Sequence, residues 1–113
     1  MRKIEQKMNA AIKAGKNWGL GNTSVITDSD NISRVYLHGN HIATVNGDEV
    51  TVYDGGWQSV TTKSRLNAII EEFCAAGDRV FQSDWVWYVQ RYVGFPGGPE
   101  YVNDEFVNGY TFC

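Results

Sequence analysis

The run Gly55-Gly56-Trp57-Gln58-Ser59-Val60-Thr61-Thr62-Lys63-Ser64-Arg65-Leu66-Asn67 decides how the whole chain is read. Two glycines close a turn, a tryptophan follows, and Leu66, Ile69, Ile70, Phe73 and Cys74 then recur at the spacing of one helix face. Thr61 or Thr62 is the expected N-cap, since a threonine oxygen accepts one of the backbone N–H groups that a first turn leaves unpaired. Lys63 and Arg65 then fall in the first turn, where Asp or Glu is the usual choice and a cation opposes the helix dipole. Two hydroxyls, two cations and unpaired N–H groups together suit a phosphate or carboxylate. Ordinary capping with two solvated charges accounts for the same residues, and both readings stand.

Upstream of this helix the chain carries hairpin signals. Arg34–His38 and His41–Val45 flank Gly39-Asn40, a two-residue loop that pairs His38 with His41, Leu37 with Ile42 and Tyr36 with Ala43. Asn46-Gly47-Asp48 turns the chain again, setting Val50 and Val52 against Val45 and Ala43. In that register one sheet face holds Tyr36, Ala43, Val45, Val50 and Val52, and the other holds Leu37, Ile42 and Tyr53. Apolar residues on both faces imply helices on one side and a partner subunit on the other. Further back, Ile4, Met8, Ala11 and Ile12 share the face of a short helix over residues 2 to about 14, closed by Gly15. That helix suits packing against a sheet or partner chain better than a membrane.

Downstream, Arg79–Gln82 and Trp85–Val93 form another hairpin around Ser83-Asp84, and its second strand is the most aromatic part of the chain. Gly94-Phe95-Pro96-Gly97-Gly98-Pro99 is an irregular loop, and its stretch from Phe95 to Pro99 is the expected lid or pocket wall. The whole is expected to be one α+β domain over residues 1–113: an antiparallel sheet of hairpins with an N-terminal helix and one central amphipathic helix.

Composition narrows the function. The chain has 113 residues, 42% hydrophobic and 20% charged, which suits a single globular core. Its net charge of −3, with ten Lys plus Arg against thirteen Asp plus Glu, argues against duplex nucleic acid as a partner. Cys74 and Cys113 do not resemble a disulfide framework, so reduced thiols and a cytoplasmic protein are expected. No apolar run is long enough to span a bilayer, so no membrane partner is expected.

Catalytic chemistry finds little footing. His38 and His41 alone, with no third ligand, make a weak metal signal, and Cys74 points into the core, where a thiol is inert. No Walker, Rossmann or zinc pattern is present, so no cofactor, metal or catalytic set is expected. Binding is better supported. Trp57, Phe81, Trp87, Tyr88, Tyr92 and Phe95 supply rings on which a base can stack, a contact of about 1–3 kcal/mol per base, with Arg91 nearby as a guanidinium. Gly97 permits close backbone approach. The expected binding set is therefore Trp57, Thr61, Thr62, Lys63, Arg65, Phe81, Arg91, Tyr92, Phe95 and Gly97. Most aromatics in a small domain nevertheless serve the core.

Asn22-Thr23-Ser24-Val25, Leu37-His38-Gly39-Asn40-His41-Ile42-Ala43 and Gly56 through Asn67 resemble a pattern carried by small phage and prophage proteins. Within that group the chain resembles the anti-Thoeris sponge proteins, which phages use to sequester a host immune signal; the likeness covers about residues 22 to 93. The resemblance implies a non-enzymatic oligomer, a homodimer or larger, in the cytoplasm of the infected bacterial cell. It implies binding of a cyclic ADP-ribose derivative, and for some members of cyclic oligonucleotides, without degradation. This chain departs from it in lacking a dense arginine cluster, so charge complementarity to a polyphosphate would need Arg65 and Arg91 pooled between subunits. The alternative is an anti-CRISPR-like inhibitor that binds a protein of a host defence complex, which small size and negative charge also suit.

Overall fold

The computed structural model describes residues 1–95 and 97–112, with Phe95 and Pro99 described by backbone alone. Helix α1 (Lys3–Ala14) leads into strands β1 (Trp18–Leu20), β2 (Thr23–Thr27), β3 (Ser33–Leu37), β4 (Asn40–Asn46) and β5 (Glu49–Val52). Helix α2 (Val60–Phe73), β6 (Arg79–Ser83), β7 (Val86–Phe95), β8 (Gly98–Glu105) and β9 (Tyr110–Phe112) complete the described chain. The strands form two antiparallel sheets, one ordered β1-β2-β3-β4-β5-β9 and one ordered β6-β7-β8. The expected α+β class, with its N-terminal and central helices, is the observed one; the division into two sheets was not anticipated.

Both helices lie on one face of the six-stranded sheet. Met8 and Ile12 of α1 and Leu66, Ile69 and Ile70 of α2 are buried against Val25, Val35, Val50, Val52 and Phe112. Each such side chain contributes about 1.5–3 kcal/mol on burial, so this layer dominates the stability of the domain. Gly15 ends α1 as expected: at φ 64° its N–H reaches the carbonyls of Ala11 and Ile12.

Three expectations are corrected by local geometry. First, Ser59 is the N-cap of α2, its Oγ accepting the Thr62 N–H at 3.0 Å. Val60 is then the first helical residue, and Arg65 moves into the second turn. Second, the loop between β3 and β4 is His38-Gly39, with φ of 51° and 77°, so Leu37 pairs with Asn40 and Tyr36 with His41. Positive φ at both positions is what a tight hairpin loop demands to match strand twist. Third, the register slips between Val35 and Tyr36, leaving Ile42 without a partner as a β-bulge.

The bulge turns Ile42 and Ala43 both inward, 1% and 0% exposed, while Leu37 is also in the core. Tyr36 is sent to the opposite face with His41 and Tyr53, their rings in a row at 5.6 and 4.6 Å between centroids. The outer face therefore lacks the Leu37–Ile42 aliphatics expected there. Thr44, Thr51 and Thr111 occupy it, Thr44 bonding His41 and Thr51 bonding Thr111. The expected two-sided apolar sheet, and the subunit contact inferred from it, do not follow from this geometry. The second β4–β5 hairpin has the expected register, with Val45 opposite Val50 and Ala43 opposite Val52.

The turn from β6 to β7 is Asp84-Trp85, at φ 49° and 67°, in place of Ser83-Asp84. Cys74 ends α2 half-buried against the core. The expectation for Cys113 lies outside the described residues.

Candidate functional site

The connection from β5 to α2 is shaped to hold a tryptophan in solvent. The Asp54 carboxylate accepts the Gly56 N–H at 2.8 Å, and Asn108 Oδ1 accepts the Asp54 N–H at 2.8 Å. Gly55 and Gly56 adopt φ of 70° and 86°. A Cβ on Gly55 would meet Ile42 Cγ2 at 3.1 Å and Asn40 Cβ at 3.2 Å, so glycine is required on both counts. The loop thereby presents Trp57 with 75% of its surface exposed, followed by Val60 at 71%.

The start of α2 sits behind these side chains. Ser59 Oγ serves Thr62, and the Ser59 carbonyl accepts the Lys63 N–H at 3.1 Å. The N–H groups of Val60 and Thr61 remain at the open end, where the helix dipole favours an anion. Thr62 itself is 3% exposed, and its hydroxyl lies 2.9 Å from Ser59 Oγ. Lys63, half-exposed, reaches across to donate to Gln82 Oε1 at 3.4 Å on β6.

Beyond Gln82 the β6–β7 turn carries Trp85, 90% exposed and at φ 67°. A bulky residue in the left-handed region costs about 1–2 kcal/mol, and exposing an indole forgoes its burial energy. Neither the backbone conformation nor the exposure of Trp85 is accounted for by packing of the core. Lys63 and Trp85 thus line one concavity between α2 and the β6–β7 turn, and Trp57 lines another before the helix.

Three concavities are relevant to these residues and to the β3–β4 turn. One of about 190 Å³ lies between the β3–β4 turn and the β5–α2 loop, lined among others by His38, Asp54, Trp57 and Ser59. Another of about 470 Å³ is lined by Lys63, Gln82, Asp84 and Trp85. A third of about 550 Å³ lies on the other side of the His38-Gly39 turn, against Gly19, Gly21, Asn22 and Ser24. His38, exposed at the rim, is shared by the first and third.

Of the residues expected in a binding site, Trp57 and Thr62 line one concavity, though Thr62 is buried and its hydroxyl is taken up by Ser59 and the Trp57 carbonyl. Thr61 and Lys63 follow on the first turn of α2, and Lys63 lines another concavity with Trp85. Arg65 is corrected. It is 3% exposed and spent inside the protein, donating to Glu5 Oε2 at 2.7 Å, Thr23 Oγ1 at 3.0 Å and Asn22 Oδ1 at 3.4 Å. The Ser64 hydroxyl and the Arg2 N–H also donate to Glu5, at 2.6 and 3.2 Å. Burial pushes the Glu5 carboxyl up, but the hydrogen bonds from Ser64, Arg65 and Arg2 outweigh it and hold it below the usual carboxylate range.

Phe81 stacks on Tyr88 at 5.5 Å and carries the Arg79 guanidinium 4.8 Å above its ring, so its π-surface is already engaged. Arg91, Tyr92 and Gly97 lie on or beside β7 and β8 of the second sheet, away from the start of α2; Tyr92 meets Tyr101 edge-on at 5.8 Å. The ring of Phe95 and the whole of Pro96 lie outside the described residues; the irregular loop expected at residues 94–99 is corrected, because β7 continues through Phe95 and β8 starts at Gly98, pairing Gly94 with Pro99 and Phe95 with Gly98. Sequence reasoning missed Trp85, which its β-propensity assigned to a strand, and His38, whose left-handed turn position no residue type announces.

A family model described as Kyanoviridae Gp96 protein matches residues 1–113. The chain belongs to this family. That makes it a phage protein, the coarser half of the resemblance drawn from its motifs; the match does not extend to the anti-Thoeris sponge family. No curated protein and no solved structure matches the chain. Among the described residues no group of three or more His, Cys, Asp or Glu is placed to hold a metal ion. No described helix is long and apolar enough to cross a membrane.

Proposed function

We propose that this phage protein binds a nucleotide-type signalling molecule, a cyclic ADP-ribose derivative or cyclic oligonucleotide, and sequesters it intact inside the infected bacterial cell. The observation that carries the reading is a pair of exposed indoles near α2: Trp85, which shares a concavity with Lys63, and Trp57, which lines a separate one just before the helix. Base stacking on such rings is worth about 1–3 kcal/mol per base. The Lys63 ammonium and the Val60 and Thr61 N–H groups suit a phosphate at the start of α2. The cavities beside His38 and Trp57 give room for the second half of a cyclic ligand. Incubation with a panel of such compounds, isolation of the protein, heat denaturation and mass spectrometry of the supernatant test the reading. An unchanged compound is expected from the wild type and none from Trp57→Ala or Lys63→Ala.

The same two indoles favour one other reading, an inhibitor that docks on a host defence protein, because tryptophan is the residue most enriched at binding hot spots. In that case Trp57→Ala abolishes capture of a host protein while nucleotides leave the capture unchanged.

A further inference from the structure

The molecule is electrostatically divided. Residues 1–16 hold five of the ten cations and one acid, a net of +4, while residues 17–113 hold five cations and twelve acids, a net of −7. Among the described residues, ion pairs form only between Lys13 and Glu72, Arg34 and Asp28, and Arg65 and Glu5. Arg2 just before α1, Lys3 and Lys7 on it, and Lys16 just after it, are exposed and outside those pairs. On β8, Glu100, Asp104 and Glu105 are likewise exposed and outside them.

β8 is also an incomplete element. It is an edge strand that pairs only with β7. β6 joins this sheet no further out than Arg79 opposite Gln90, so beyond that pair β7 and β8 have only each other. The base of the hairpin is held: Gln90 donates to the Gly77 carbonyl at 2.8 Å, Asp78 accepts the Tyr92 N–H, and Tyr101 covers Gly77. Farther out, a two-stranded ribbon is marginal in water, and this one exposes Tyr92 (39%), Tyr101 (48%) and Val102 (39%). The open edge of β8 offers backbone carbonyls beside three carboxylates, Glu100 on this ribbon and Asp104 and Glu105 opposite Val89 and Tyr88, where β6 pairs with β7; the one cation of the ribbon, Arg91, stands on the inner strand β7.

We propose that this acidic edge of β8 docks on the cationic face of α1 of a second copy of the chain, making the protein a homo-oligomer joined by arm-to-helix contacts. Glu100 and Asp104 stand about 13 Å apart along the strand. Lys3 and Lys7 start about 6 Å apart along α1, and their flexible four-carbon stems span the difference. Lysine donors suit an open strand edge, since ammonium groups satisfy carbonyls and carboxylates together. An antiparallel pairing of two β8 edges centred on Val102 would instead set Glu100 against Asp104 of the partner strand, a like-charge contact that destabilises. A second copy is therefore met through α1. This inference is independent of the ligand reading, because neither Trp57 nor Trp85 takes part.

Sedimentation velocity on the full chain at micromolar concentration tests it. The wild type is expected as a dimer or larger species that dissociates in about 1 M salt, where screening length falls to about 3 Å. The Lys3→Glu/Lys7→Glu variant and the Glu100→Lys/Asp104→Lys variant are each expected to raise the dissociation constant about tenfold or more. An equimolar mixture of the two restores assembly, because each then offers the charge the other lost. A wild type that is monomeric throughout overturns the proposal. So do variants that stay folded by circular dichroism and assemble as the wild type does, or a mixture that fails to reassemble.

Discussion

Removing the Arg65 guanidinium while leaving Glu5 in place tests the interior of the domain most severely. Arg65 and Glu5 are a buried ion pair, with side chains 4% and 3% exposed and a 2.7 Å contact between Nη1 and Oε2. Arg65→Met keeps the aliphatic length and leaves the Glu5 carboxylate in an apolar interface with only Ser64 and the Arg2 N–H. Breaking one partner of such a pair costs about 3–5 kcal/mol, against a total domain stability of about 5–15 kcal/mol. With a urea m-value of about 1.5–2 kcal/mol/M for a chain of this size, the midpoint falls by about 2 M. Replacing both partners, as in Arg65→Met with Glu5→Leu, removes the stranded charge, so the double variant is expected to be no less stable than either single one. Urea titration followed by tryptophan fluorescence reads all three. An unchanged midpoint for Arg65→Met refutes the buried pair and returns Arg65 to the surface, where a ligand could use it.

Three further outcomes follow from the same geometry. Burial and the nearby Arg34 charge hold the His41 imidazole below its ordinary value, against a hydrogen bond with Ala43 that raises it. Its contribution to stability is therefore present above the unfolded value of about 6.5 and lost as pH falls toward the folded one. The thermal midpoint of His41→Phe should accordingly drop less than that of the wild type between about pH 7.5 and 5.5, and equal drops contradict this. Trp85→Gly relieves a left-handed φ of 67° at a 90% exposed ring. It should leave the fold as stable or more so, by up to about 1 kcal/mol, while weakening ligand retention. Loss of thermal stability would show that the ring supports the turn. Ser59→Ala removes the cap of α2 and should cost about 1 kcal/mol, seen in the unfolding midpoint, whereas the same change at Thr61 should cost less.

Much of the fold was legible because it rests on period and punctuation. Gly15 announced the end of α1, and the Val45–Val50 pairing followed from two alternating runs around Asn46-Gly47. The β3–β4 hairpin was misread because Gly39-Asn40 looked like the better loop, while the chain gains more by slipping one residue. The bulge brings Leu37, Ile42 and Ala43 into the core together, and burial of those aliphatics outweighs the strain of His38 at φ 51°. Arg65 could have been recognised as buried. It stands four residues before Ile69 on the apolar stripe of α2, and Glu5 stands three before Met8 on that of α1, opposite charges on two inward faces. Trp85 could not, since nothing in its neighbours distinguishes a strand residue from the second position of a tight turn.

The central claim, that exposed indoles and Lys63 at the start of α2 capture a nucleotide-type signal without consuming it, is tested most directly by what the protein releases. Protein incubated with cyclic ADP-ribose isomers and cyclic oligonucleotides is isolated and heat-denatured, and the supernatant is analysed by mass spectrometry. Recovery of an unaltered compound at near-stoichiometric yield, lost in Trp57→Ala and Lys63→Ala, is the expected result. Recovery of nothing across the panel, of a hydrolysed product, or of equal amounts from both variants contradicts it.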